Sequence, residues 1–108
     1  MNDELFEELF NLSQSGMYFE SVGDIEKSIE IYEKCVSMGW EGSHVYERLS
    51  IYYKKNKKYS DVDRVIKIYL EIYKNWYDRS NFHHTWKLEN DNKYKTFKKR
   101  LDSIQKFL

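Results

Sequence analysis

Laid over itself with a shift of 34 residues, the chain brings its small and apolar positions into register. Gly16 meets Ser50, Phe19 meets Tyr53, Ile25 meets Tyr59, Ser28 meets Val62, Ile31 meets Val65 and Tyr32 meets Ile66. A period of this length holds two short helices and two turns, so the chain is expected to be all-α and built from stacked helix pairs. Stacked pairs leave a groove, and such grooves bind other chains. The expected class is therefore a binding module.

At 108 residues a single domain over 1–108 is expected. Aromatic residues make up 18% of the chain and ten of them are Tyr, enough large rings to favour a folded protein over a disordered one. Proline and alanine are both absent while Lys, Asn, Ile and Tyr abound, the bias of an AT-rich coding sequence. With neither a long apolar run nor a basic start leading into one, the expected location is cytoplasmic, with no membrane contact. The formal net charge is zero, yet residues 1–47 carry eleven acids and two bases, and residues 48–108 carry sixteen bases and seven acids. Self-association through the acidic and basic halves is one partner expectation, with a reach of about 8 Å at physiological salt.

Along the chain, Asn2 or Asp3 is placed to cap a first helix carrying Leu5, Leu9, Leu12 and Phe19 at helical spacing. Val22, Gly23 and Asp24 break it, and a second helix runs from Ile25 to about Met38, ended by Gly39. Ser43 is the expected cap of a third helix, which Asn56 to Lys58 interrupt. Ser60 followed by Asp63 reads as a capping box opening a fourth helix. Residues 76–91, with Trp76, Tyr77, Phe82, His83, His84 and Trp86, read as an aromatic connection folding back on the body. A last helix over 92–108 puts Tyr94, Phe97, Leu101, Ile104 and Leu108 on one face, as a terminal cap would.

At Gly16, Phe19, Gly23, Ile25, Ser28, Tyr32 and Cys35 the first unit resembles the tetratricopeptide consensus. The segment from Gly39 to Lys55 is similar to the inter-repeat segment of small tetratricopeptide proteins of Gram-positive bacteria and their phages. The resemblance implies two helix pairs in a right-handed stack, in units of about 9–42 and 43–75, with the helix over 92–108 as cap. The second unit departs from the pattern, with Val62 and Tyr69 at small positions and Lys57 at the turn glycine, so looser or differently angled stacking is expected there. In that family the first helix of each pair lines the concave face. By position this assigns partner contact to Phe10, Ser13, Met17 and Glu20, and to His44, Glu47, Arg48, Ile51, Lys54 and Lys55. Ser13 and Met17 stand where co-chaperone members carry a lysine and an asparagine, so their carboxylate clamp is absent. The implied task is capture of a protein or peptide, with a phage or prophage factor acting on a host protein as one setting.

No catalytic residue, metal site or cofactor is expected. His83, His84, His44 and Cys35 lack the close spacing of zinc ligands, and no glycine-rich loop, Gly-x-Ser-x-Gly elbow or His-Glu-x-x-His pattern occurs. Cys35 falls at a packing position and reads as a buried thiol. The alternative function is contact with nucleic acid through the basic C-terminal half. There Lys93, Lys95, Lys98, Lys99, Arg100 and Lys106 share one helix, and Lys54, Lys55, Lys57 and Lys58 adjoin Tyr52, Tyr53 and Tyr59.

Overall fold

The computed structural model describes residues 2–80 and 86–108, and every regular element among them is helical. Five α-helices follow one another: α1 (Asp3–Ser21), α2 (Ile25–Ser37), α3 (Ser43–Lys55), α4 (Tyr59–Arg79) and α5 (Asn92–Ile104), with short 3-10 turns at Leu88–Asn90 and Gln105–Phe107. The chain divides into two compact units, Met1–Leu49 and Ser50–Leu108, and the division falls inside α3.

In the first unit Asn2 caps α1 by accepting the Leu5 N–H at 2.8 Å, and Asp24 caps α2 by accepting the Lys27 N–H at 3.1 Å. The α1–α2 contact is built on small residues. Ser28 Oγ donates to the Gly16 carbonyl at 2.9 Å, and a Cβ on Gly16 would fall 2.5 Å from Cε1 of Tyr32, so the tyrosine ring occupies the space a side chain would need. Leu9, Tyr32, Cys35, Val45, Tyr46 and Leu49 are fully buried around this contact. After α2 the chain tucks Trp40 inward. Its carbonyl accepts the Tyr46 hydroxyl, which ties the start of α3 to the connection.

The second unit is organised by α5 lying antiparallel along α4. Tyr59 stacks on Phe107 at 4.3 Å, Asp63 accepts from Gln105 Nε2 at 3.4 Å, Tyr69 meets Phe97 at 4.5 Å and Tyr73 meets Tyr94 at 6.5 Å, so the pairings run in opposite directions on the two helices. Phe97, Leu101 and Ile104 are buried and Tyr94 is half-buried, whereas Leu108, beyond the final 3-10 turn, is exposed. Asp91 fastens the start of α5. Its Oδ1 accepts the Tyr94 N–H at 3.0 Å as a cap, and its carboxylate also bonds the Tyr73 side chain of α4.

Two expectations are corrected at α4. The Ser60–Asp63 capping box does not form: the helix starts at Tyr59, and Lys58 holds the cap position without a side-chain bond. The helix also continues through Trp76 and Tyr77 to Arg79, into the stretch expected to be a connection, because nothing before Ser80 breaks its pattern. The return of the chain is nevertheless seen at Trp86, whose carbonyl accepts the Tyr77 hydroxyl. Phe82, His83 and His84 lie outside the described residues.

The 34-residue period has a local geometric counterpart. Gly23 and Lys57, one period apart, both carry positive φ, at 85° and 60°. The residues after them, Asp24 and Lys58, donate to carbonyls five positions back, Phe19 and Tyr53, at 2.9 and 2.8 Å. These are Schellman ends of α1 and α3, one with the favoured glycine and one with a lysine. A left-handed residue with a Cβ costs about 1–2 kcal/mol, offset in part by glycine's greater freedom in the unfolded chain. Lys57→Gly is expected to raise stability by about 0.5–1 kcal/mol, seen as a higher urea midpoint with unchanged slope. A lower midpoint would contradict the assigned turn.

Candidate functional site

The helical pitch gives α1 two apolar faces. Leu5, Leu9, Leu12, Gly16 and Phe19 face the core, and Phe6, Phe10 and Met17 form a second stripe at spacings of four and seven. The second stripe is largely open: Phe6 is 53%, Phe10 45% and Met17 39% exposed. Phe6 stacks on Phe10 at 6.3 Å and meets Trp40 at 5.4 Å, and Gln14 Nε2 reaches Met17 Sδ at 3.6 Å. The edges of the stripe are acidic, with Asp3 and Glu7 exposed on the same flank.

Ser13 belongs to the expected contact set but is covered, and its hydroxyl donates to the Phe10 carbonyl at 2.7 Å within its own helix. Glu20 is a junction. Its Oε1 accepts the Tyr32 hydroxyl at 2.7 Å and its Oε2 accepts Arg48 Nε at 2.6 Å, joining α1, α2 and α3. Its side chain is only 17% exposed and that of Arg48 31%, so the pair is much less screened than a surface ion pair. His44 is exposed and sets its ring edge-on to Tyr32 at 6.3 Å, and Glu47 is half-buried. Of the expected residues in the second unit, Ile51 is 37% exposed and lies with Lys54 on one small cavity, and Lys55 is exposed.

The expected set thus separates into kinds. Phe10 and Met17 are open apolar contacts, Glu20 and Arg48 hold the first unit together, and Ser13 is internal. Phe6 belongs with Phe10 and Met17, although the resemblance to tetratricopeptide repeats does not select it. Its spacing of four from Phe10 is the signal that identifies it.

Among the described residues no group of three or more His, Cys, Asp or Glu is placed to hold a metal ion, and no helix is long and apolar enough to cross a membrane. Tyr73 titrates above the ordinary tyrosine range, first because burial disfavours the phenolate and then because Asp91 hydrogen-bonds to it. No family model, curated protein or solved structure matches the chain.

Cys35 is fully buried, and burial pushes its thiol up from 9 to about 11. At pH 8 it is a protonated core group. The folded chain is expected to leave an aromatic disulfide reagent unreacted at that pH and to react with one equivalent in concentrated urea. Folding keeps a proton that the unfolded chain loses earlier, so this contribution to stability is intact below pH 9 and is lost as the pH rises through 11. Rapid labelling of the native chain would contradict the burial.

Proposed function

We propose that the chain is a non-enzymatic protein-interaction module of tetratricopeptide type, with α1–α2 and α3–α4 as its helix pairs and α5 as the cap. The observation that carries this reading is the second apolar stripe of α1, where Phe6, Phe10 and Met17 stay open to solvent after the core face is buried. The recurrence of the turn geometry at Gly23 and Lys57 after 34 residues supports the repeat assignment.

The chemistry of the stripe selects its occupant. Residues 1–49 carry eleven acids and three bases, so the fitting ligand is a peptide segment with apolar side chains flanked by Lys or Arg. Apolar contact supplies the affinity and the carboxylates set the orientation.

Selection of binders from a random-peptide display library against the whole chain tests the reading. Selected peptides are expected to pair aromatic or aliphatic anchors with basic flanks, and to lose about tenfold or more in affinity to Phe10→Glu and Met17→Glu, since each anchor contact is worth about 1.5–3 kcal/mol. Both positions are exposed, so far-UV circular dichroism should be unchanged. Peptides that bind the two variants as well as the parent would overturn the assignment.

A further inference from the structure

A different surface lies on the basic second unit. Residues 50–108 carry fifteen Lys or Arg and seven Asp or Glu, and the excess is concentrated where α5 passes the end of α3. Two cavities meet there at Arg100. The smaller, about 170 Å³, has Lys54 and Ile51 of α3 on its wall and Val62 of α4 against it. The larger, about 420 Å³, follows α5 past Thr96, Lys99 and Ser103.

Their lining chemistry is one-sided. Among the described residues, three cationic groups (Lys54, Lys99 and Arg100) and two α5 hydroxyls (Thr96 and Ser103) border the two cavities, and no carboxylate lines either one. Lys54 Nζ reaches Ser103 Oγ at 3.4 Å, which brings the ammonium of α3 to the hydroxyl row of α5. Ser103 Oγ in turn donates to the Arg100 carbonyl at 2.7 Å, and the Arg100 guanidinium lies 5.4 Å from the Phe97 ring centroid. Packing on that ring orients the guanidinium, a fork suited to oxyanions.

Thr96, Lys99, Arg100 and Ser103 follow the spacing of one helical face, a row about 10 Å long. A single oxyanion fills only part of such a row, whereas the successive phosphates of a strand meet the spread of Lys54, Lys99 and Arg100 in turn. Lys98 of α5 points to another side of the helix, Lys74 lies further along α4, and both are exposed. They serve as an internal control for charge alone.

We infer that the Lys54–Lys99–Arg100 cleft binds the phosphate backbone of a nucleic-acid strand. Arg100 and Lys54 take phosphate oxygens and Lys99 extends the site along the strand, while the Thr96 and Ser103 hydroxyls, which donate to the Asn92 and Arg100 carbonyls of their own helix at 2.8 and 2.7 Å, are small uncharged neighbours. Recognition through these groups is independent of base sequence.

The test is fluorescence anisotropy of labelled mixed-sequence single-stranded DNA and RNA titrated with the whole chain over a range of KCl concentrations. Affinity is expected to fall with salt at a log–log slope of about −2, for about three phosphates engaged. Lys54→Glu/Lys99→Glu should weaken binding at least about tenfold and Lys54→Gln/Lys99→Gln should flatten the slope, while Lys74→Glu/Lys98→Glu, with the same change in net charge, should cost much less. Circular dichroism of each variant checks that the helices persist, and the glutamine pair reads the site without reversed charge. Equal losses in the cleft and control pairs would overturn the site. Absence of strand binding would do so too, as would displacement of the strand by polyglutamate or inorganic phosphate at matched charge concentration. None of these outcomes depends on the peptide-binding stripe of α1.

Discussion

Tyr32 lies where a side chain on Gly16 would have to be, and the arrangement of the first unit follows from that contact. The ring is fully buried against the bare backbone of α1, its hydroxyl reaches Glu20, and Glu20 in turn holds Arg48 of α3. One aromatic side chain thereby sets the approach of two helices by its volume and locates a third through a carboxylate. The glycine is required for space and not for its dihedral angles, since it sits inside a regular helix. Ser28 completes the approach by spending its hydroxyl on the Gly16 carbonyl, which keeps a polar group in the contact satisfied.

The periodicity of small and large residues made much of this legible. Gly16, Ser28 and Cys35 read as packing positions and are buried, and the turn at Gly23 and the cap at Asp24 stand where local chemistry put them. What failed to read did so for local reasons. Ser60 has the residue type of a cap, but the Schellman turn at Lys57 starts α4 one residue earlier, through backbone bonds that involve no side-chain signal. Trp76 and Tyr77 look like loop aromatics in isolation, yet Trp76 continues the row from Tyr69 and Tyr73, and Tyr73 and Trp76 meet at 5.4 Å inside one helix.

The surface residues were less legible than the core because periodicity marks a face without saying what each side chain there does. The resemblance to tetratricopeptide repeats groups Phe10, Ser13, Met17 and Glu20 together. Burial separates them into open apolar side chains, an internal hydroxyl and an ion-pair partner. Charge separates in the same way: eleven of the eighteen acids lie in the first unit and fifteen of the eighteen bases in the second. Each unit therefore offers a surface of its own chemistry, an acid-edged apolar stripe in one and a basic cleft in the other.

The most direct measurement of the central contact is the stability of Gly16→Ala, because helix propensity and packing give it opposite signs. Alanine gains about 1 kcal/mol over glycine in a helix interior, whereas its Cβ would fall 2.5 Å from the Tyr32 ring, and overpacking of this kind costs about 1–3 kcal/mol. With the ring held by its bond to Glu20, the account predicts that packing prevails and the urea midpoint falls. A midpoint raised by the full propensity gain would contradict it, because the ring would then not be fixed against α1.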